Sequence, residues 1–335
     1  MIRVAINGFG RIGRNVFKAS FGRLKDLEFV AVNDLTDTKT LAHLLKHDTN
    51  YGAYEREVSH DEKHIIVDGK KILVTAEKDP TKLPWKELKV DVVIESTGRF
   101  TDEAGASQHL TAGAKRVVLS APAKGGNVPT YVLGVNGHEY EGEAKVINNA
   151  SCTTNCIAPV AAVIHAKFGV KKALMTTIHS YTADQVLQDG PHKDLRRGRA
   201  AAMNMVPTST GAAIAVTETI PELKGLFDGL SVRVPTSVVS MSDFTFVVGK
   251  KTTVLEINEA LKAACKTKRF EGILACTEEE LVSSDFIKNS YSSIVDLGLT
   301  QVVDGDLVKV VAWYDNEWGY SCRLGEMVER VGKSL

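Results

Sequence analysis

Three glycines near the start constrain this chain more than anything else in it. Gly8-x-Gly10-x-x-Gly13, in "RVAINGFGRIG", follows a strand-like run and opens onto a helical pattern. Glycine here permits a tight turn, close backbone approach to a pyrophosphate and close packing of helix on strand, while the helix N-terminus offers amides to phosphate oxygens. The next strand-like run ends in "VNDL" and sets Asp34 21 residues beyond Gly13. A carboxylate there accepts hydrogen bonds from both hydroxyls of an adenosine ribose, and its charge repels a 2′-phosphate. The bland alternative is a glycine-rich turn followed by a solvated aspartate. The agreement of strand, turn, helix and acid favours a dinucleotide site, with NAD preferred over NADP. Arg11 reads either as a helix-surface charge or as a residue facing the dinucleotide.

Length asks for more than one core, since 335 residues exceed the usual size of a domain. The 41 basic and 41 acidic residues cancel, so no net field draws the chain to nucleic acid or to an anionic membrane. An anionic ligand must then be held by local groups. No apolar run approaches the roughly 20 residues that span a bilayer. The richest stretch, Ile157 to Ala166, contains His165. The opening "MIRVAINGFG" lacks the basic segment and long apolar core of a secretion signal, which points to the cytoplasm.

Residues 1–150 alternate strand-like and helix-like segments, the pattern of a mostly parallel sheet covered by helices. Strands are expected in "RVAIN" from Arg3, "EFVAVN" from Glu28, "VDVVIEST" from Val90, "KRVVLS" from Lys115 and "KVINNA" from Lys145. The helical "TDTKTLAHLLKH" sets Leu41, Leu44 and Leu45 on one face, and "HIIVDGKKILV" predicts a hairpin turning at Asp68-Gly69. Beyond Cys152 the pattern becomes α+β. A helix is expected from the cysteine to about Phe168, then the alternating "ALMTTIHSYT" and a long Arg-containing segment from Asp184 to Pro207. Strands in "LSVRVPTSVVS", "DFTFVVG" and "LVKVVAWYD" and a helix in "TVLEINEALKAAC" follow. The last helix places Leu324, Met327, Val328 and Val331 on one face, which must dock on a core.

The chain has five cysteines, an odd number for a disulfide framework, and Cys152-x3-Cys156 lacks the second pair that a zinc site would need. No metal is expected. Ser151 can cap the helix that Cys152 opens, and the helix N-terminus stabilises a thiolate through its free amides and dipole. Cys152 is therefore the better nucleophile. Cys156 lies about 6 Å deeper along the helix among apolar residues, where packing is the simpler role. Core or surface thiol is the default for Cys265, Cys276 and Cys322. A thiolate also needs a basic or cationic neighbour. His165 sits about 20 Å along the nucleophile's own helix, out of reach. His179, at the end of "ALMTTI" and before a run of hydroxyls, is the better base, with a structural histidine as the alternative.

"INGFGRIGR", "VNDL", "SAPAKG", "ASCTTNC", "HSYTADQ", "HKDLRRGRAAAMNMVPTSTGAA" and "WYDNEWGYS" occur in this order across the full chain. Together they closely resemble the phosphorylating glyceraldehyde-3-phosphate dehydrogenases. The resemblance implies an α/β fold class, with a Rossmann dinucleotide-binding domain over 1–150 and an α+β catalytic domain with a mixed or antiparallel sheet over 151–315. Residues 316–335 would return as a C-terminal helix to the NAD-binding domain. It assigns Cys152 as nucleophile and His179 as base. One phosphate group would sit near Thr182, Asp184 and Arg233, and another near Ser151, Thr153, Arg197, Thr210 and Gly211. On the cofactor side it implicates Arg11 and Ile12 at the pyrophosphate, Asp34 at the ribose and Ser120 beside the dinucleotide, with Lys78, Thr97 and Gly98 lining the same crevice. Asn316 would hold the nicotinamide carboxamide and Tyr320 would pack close to the ring. The implied partners are glyceraldehyde 3-phosphate, inorganic phosphate and further copies of the chain in a homotetramer, with no membrane and no primary nucleic-acid partner.

Three positions depart from the common pattern of that family. Ser237 stands where "VPTP" is frequent, Gly190-Pro191 replaces Leu-Pro, and Arg99 follows "ESTG" where an apolar residue is usual. None removes a catalytic group. The sequence also leaves room for erythrose-4-phosphate dehydrogenase, a relative that ends in hydrolysis, and for a non-catalytic NAD- or RNA-binding protein on the same fold.

Overall fold

The structure, a computed structural model, describes residues 1–335. The chain divides into two compact units, one of Met1–Tyr131, Gly137–Ala150 and Ser321–Leu335, the other of Val132–Asn136 and Ser151–Tyr320. None of its helices is long and apolar enough to cross a membrane.

In the first unit β1 (Ile2–Asn7) runs into α1 (Arg11–Ser20), β2 (Leu27–Asn33) and α2 (Thr38–Lys46). Two short strands, β3 (His47–Asp48) and β4 (Gly52–Ala53), pair with each other, and β5 (Val58–His60), β6 (His64–Val67) and β7 (Lys70–Thr75) follow. Then come β8 (Val92–Glu95), α3 (Glu103–Thr111), β9 (Arg116–Leu119) and β10 (Val146–Asn148). These strands form an eight-stranded sheet in the order β10-β9-β8-β1-β2-β7-β6-β5, parallel from β10 to β7 and antiparallel at β6 and β5. Val4, Ala5 and Ile6 of β1 are all fully buried, because a central parallel strand is covered on both faces. The β6–β7 hairpin turns at Asp68 (φ +48) and Gly69 (φ +77), the paired positive angles of a two-residue primed turn. Leu41 and Leu45 of α2 are buried, but Leu44 is 39% exposed. A three-residue step leaves it at the rim of the buried stripe rather than inside it.

The second unit begins with α4 (Cys152–Phe168), which matches the helix expected there, and β11 (Val170–Ser180). It continues through β12 (Val206–Ser209), α5 (Ala212–Thr219), β13 (Phe227–Val234), β14 (Ser240–Val248), α6 (Val254–Cys265), β15 (Leu274–Thr277), β16 (Ser293–Val303) and β17 (Leu307–Tyr314). The seven-stranded sheet has the order β12-β13-β11-β14-β17-β16-β15 and is mixed: β11 pairs with β13, and β15 with β16, in parallel, the others antiparallel. "LSVRVPTSVVS" is not one strand. Pro235 has no amide to give a ladder, so β13 stops at Val234, and the chain passes Val239 (φ +70) before β14 starts. Helix α7 (Trp318–Lys333) begins in this unit and from Ser321 belongs to the first. There Leu324, Met327, Val328 and Val331 are all buried, and Gly332 lies so close to the Ile2 side chain that a Cβ would sit 2.4 Å from it.

Candidate active site

In the first unit the chain leaves β1 for β2 on one side and later returns to β8 on the other, so the carboxyl ends of these strands open a crevice where the strand order reverses. A cleft of about 630 Å³ lies there, lined by Gly8, Gly10, Asp34, Lys78, Thr97 and Arg99 among others. Gly8 has φ +93, and a Cβ on it would meet the Thr97 amide nitrogen at 2.7 Å. A Cβ on Gly13 would lie 2.1 Å from the Gly8 carbonyl oxygen, so the first turn of α1 can seat on the loop only as glycine. No acidic residue occupies that turn. Asp34 is held by the Phe9 amide, which donates to its Oδ2 at 2.9 Å and leaves the other carboxylate oxygen for a diol.

Not every cofactor residue expected from the sequence lies in this cleft. The Arg11 guanidinium turns away to pair with Asp48 at 2.8 Å and lies over the Tyr51 ring, so Arg11 and Ile12 can serve an anion through the backbone of the helix N-terminus. Gly98 (φ +72) is the hinge between the lining residues Thr97 and Arg99. Ser120 is outside the lining and instead continues β9, its amide donating to the Glu95 carbonyl oxygen. Arg99, a departure in sequence, puts a charge on the cleft wall.

A buried polar network whose members lie far apart in the chain underlies the floor. Glu95 accepts from Asn7 Nδ2 at 2.6 Å, from the Thr97 amide and hydroxyl at 2.8 and 2.5 Å, and from His109 Nε2 at 3.0 Å. Trp85 Nε1 donates to His109 Nδ1 at 3.0 Å, which fixes the proton on Nε2 and makes that histidine a donor to the carboxylate. Four donors satisfy a carboxylate that burial would otherwise penalise, and two of them set the turn at Thr97.

In the second unit the N-terminus of α4 carries Cys152. Ser151 caps the helix, its Oγ accepting from the Thr154 amide at 3.0 Å. The preceding residue, Ala150, has φ +55, a left-handed backbone that costs a residue with a Cβ about 1–2 kcal/mol. Alternation along β11 turns Ala173, Met175, Thr177 and His179 to the buried face, toward the side where α4 packs. That brings His179 Nε2 to 3.5 Å from Cys152 Sγ. His179 Nδ1 donates to the Ser180 carbonyl oxygen at 2.7 Å, and because burial and Arg233 disfavour the charged ring, Nε2 presents its lone pair to sulfur. Burial first and then the Arg233 charge lower the His179 pKa to about 3. Burial pushes the Cys152 thiol up, while Arg233 pulls it down. Cys152 keeps some contact with solvent, which moderates the push, and the helix N-terminus acts in the same sense as Arg233.

Arg233 has no carboxylate partner. Its Nη1 reaches the Ser180 carbonyl oxygen at 3.3 Å and the Thr182 hydroxyl at 3.2 Å, and its Nε is shut away from solvent without an acceptor. A guanidinium so placed, beside a cysteine–histidine pair, is built to receive an anion. Thr182 belongs with it. Asp184 does not: it forms an ion pair with Arg197, which Asp194 approaches at 3.5 Å and whose Nε donates to Thr208 Oγ1 at 2.9 Å. Asp184 thus positions Arg197 and would repel a phosphate. The Thr153 hydroxyl also points inward, to Tyr314 Oη at 2.9 Å. Thr210 Oγ1 accepts from the Ala212 amide and Gly211 caps α5, so this pair offers a second helix N-terminus.

Residues that the sequence reading missed hold the expected ones in place. Asn316 Oδ1 accepts from the Ser180 and Ser240 hydroxyls at 2.9 and 3.0 Å, which turns its NH2 toward whatever it is to bind. Tyr314 Oη bonds Thr177 at 2.8 Å as well as Thr153, and its ring stands edge-on to His179. Thr177 donates to the Met241 carbonyl oxygen, so Tyr314 donates to Thr177, and burial keeps the phenol protonated. Tyr320 is buried at 4% exposure. Cys156 is fully buried with its thiol donating to Ser293, its pKa raised to about 12 by burial, and His165 accepts from the Val170 amide at the end of α4. No cluster of three or more histidine, cysteine or carboxylate side chains could hold a metal.

Comparison with known proteins gives a consistent result. The family model described as glyceraldehyde 3-phosphate dehydrogenase, NAD binding domain, matches residues 2–103, and that of the C-terminal domain matches residues 151–316. The glyceraldehyde-3-phosphate dehydrogenase of Geobacillus stearothermophilus is 54% identical over 331 residues, 98% of this chain and 98% of that protein. Glyceraldehyde-3-phosphate dehydrogenase 2 of Synechocystis is 53% identical over 336 residues, covering 100% and 99% of the two chains. Glyceraldehyde-3-phosphate dehydrogenase 1 of Bacillus cereus is 54% identical over 328 residues, covering 98% and 97%.

Proposed function

The chain belongs to the glyceraldehyde-3-phosphate dehydrogenase family, and from that premise we propose that it converts glyceraldehyde 3-phosphate to an acyl phosphate, with Cys152 as nucleophile and His179 as base. It is an NAD-dependent oxidoreductase. The observation that carries the residue roles is the 3.5 Å approach of Cys152 Sγ to the unprotonated Nε2 of His179, beside a guanidinium without a counter-ion.

The substrate phosphate would settle against Arg233 and Thr182. Neutralising Arg233 removes the second of the two main influences, after burial, that depress His179, so substrate binding itself raises the basicity of the imidazole. Cys152 then passes its proton to Nε2 and its sulfur bonds to the aldehyde carbon; the carbonyl oxygen takes the proton and a hemithioacetal results. His179 next removes the hydroxyl proton as hydride leaves the same carbon, and the product is a thioester on Cys152. The glycine loop and Asp34 would hold NAD, which when bound would supply the hydride acceptor. Asn316 is suited to hold a carboxamide through its NH2. An inorganic phosphate oxygen attacks the thioester carbonyl, the carbon–sulfur bond breaks, and Cys152 leaves as thiolate. Arg197 has to release Asp184 to serve this second anion, while the Ser151-capped end of α4 and Thr210-Gly211 supply donors.

The test follows NADH formation from the purified protein with NAD and glyceraldehyde 3-phosphate, with and without inorganic phosphate, and again with NADP. Steady turnover should require phosphate and fall at least about tenfold with NADP, because a carboxylate at position 34 repels a 2′-phosphate. Steady turnover without phosphate would instead favour the hydrolytic relative, and equal rates with the two cofactors would remove the selectivity role from Asp34.

Assembly into a homotetramer is part of the same proposal. Leu174 and Leu230 on the open face of the seven-stranded sheet, and Leu187, Leu195, Met203 and Met205 in the segment before and around β12, are 46–85% exposed. Large apolar side chains in such number on one unit suit contacts with further copies of the chain. Sedimentation of the intact protein should give a single species of four chains, and a monomer at micromolar concentration would overturn this assignment.

A further inference from the structure

Two cysteines that take no part in the chemistry above, Cys265 and Cys276, lie with their sulfurs 3.2 Å apart. Cys265 ends α6 and Cys276 lies on β15, the edge strand of the seven-stranded sheet. Both are half-buried, so solvent reaches the pair. The intervening chain passes through a single 3-10 turn, Lys268–Phe270, and Gly272 at φ +67 before entering β15. Lys262, one turn before Cys265, pairs with Glu278, two residues beyond Cys276, at 2.7 Å, so an ion pair already ties the two elements at this point. Of the other thiols, Cys152 faces His179 and Cys156 donates to Ser293.

We propose that Cys265 and Cys276 form a dithiol site that exchanges with small-molecule disulfides and closes to an intramolecular disulfide. A thiol that donates to its neighbour's sulfur stabilises one thiolate, whereas a second negative charge so close is disfavoured. The pair therefore presents one attacking and one resolving sulfur. The Cys265 thiolate attacks one sulfur of the incoming disulfide, whose sulfur–sulfur bond breaks and releases one thiolate. Cys276 then loses its proton and attacks the Cys265 sulfur, and the second small thiolate leaves. Two cysteine thiols are oxidised by two electrons and the small disulfide is reduced to two thiols. A disulfide bond of about 2.05 Å requires the sulfurs to approach by only about 1 Å. The bond would join the end of α6 to β15 and close the short loop between them.

The experiment uses the full-length Cys152→Ser protein, which removes the reacting thiol and leaves four of the five cysteines. It is equilibrated over a series of ratios of glutathione to glutathione disulfide, quenched in acid, alkylated after denaturation and mapped as peptides without reduction. A peptide pair joined through Cys265 and Cys276 should accumulate as the disulfide fraction rises, and two thiols, those of Cys156 and Cys322, should remain alkylatable. In the Cys276→Ser form of the same protein, Cys265 should stop at the glutathione mixed disulfide. Recovery of both cysteines as free thiols at the most oxidising ratio would overturn the proposal. Stable glutathione adducts on both, in protein that carries both, would overturn it equally.

Discussion

Cys152→Ser is expected to lower turnover by at least about 10⁴-fold while NAD affinity stays within about twofold. The change replaces one atom at the first position of α4 and leaves the cap at Ser151 and the helix intact. A serine hydroxyl is nowhere near ionised at neutral pH, so the pull of the helix N-terminus and of Arg233, which can make a thiolate from a thiol, is insufficient to make an alkoxide. The ester that serine would form is also a poorer acyl donor than the thioester. Asp34 and the glycine loop lie in the other unit, so dinucleotide binding reports separately on folding. NADH production in steady state and calorimetric titration with NAD measure the two quantities. Turnover within about tenfold of the wild type, with NAD binding retained, would remove Cys152 from the mechanism.

The parts of this molecule that the sequence discloses are those in which local chemistry dictates geometry. Gly8 and Gly13 had to be glycine because backbone occupies the space where a Cβ would lie, and the same spacing signals the turn to a reader of the sequence. Asp68-Gly69 announces its hairpin for a different reason, the positive φ angles of a primed turn that these residue types tolerate. The start of the helix at Cys152 is legible through its serine cap. Elements without such signals are not. Helix α5 starts after Thr210-Gly211 within a run of small residues, and β15 and β16 lie in a stretch where the period is broken by polar residues; none of the three was anticipated.

Site residues divide along a similar line. Residue type and position are enough to nominate Cys152 and His179, because each needs only a particular functional group at the end of an identifiable element; Arg233 is reached only through the family resemblance. Their partners depend on contacts between elements far apart in the chain. The resemblance groups Asp184 with Arg233, whereas its ion pair is with Arg197, and the Thr153 hydroxyl, expected toward a phosphate, bonds Tyr314. Nothing local distinguishes Ser180 and Ser240 from other strand hydroxyls, although together they orient Asn316. The proximity of Cys265 to Cys276 likewise requires β15 to be placed beside α6.

His179→Asn is expected to lower kcat by about 10²–10⁴-fold, the usual contribution of a positioned general base. Asparagine can keep a hydrogen bond to the Ser180 carbonyl oxygen, so the variant removes the Nε2 lone pair with little change of shape. Its turnover should climb with pH well above neutrality, because solvent base has to remove the proton that the imidazole took, and added imidazole should recover part of the rate. A second readout is stability in acid. In the native protein burial and Arg233 hold the His179 pKa near 3, against an ordinary value of 6.5, so between those pH values the unfolded chain binds a proton that the folded one does not. Native stability therefore falls as pH drops through this window, by up to about 1.4 kcal/mol per pH unit from this residue, and the contribution is fully present only above 6.5. His179→Asn should lose less stability than the wild type on acidification over that range, as denaturant titrations at several pH values would measure. A variant with nearly wild-type kcat and an unchanged pH profile would show that His179 is a packing residue, and the general base would then have to be sought elsewhere.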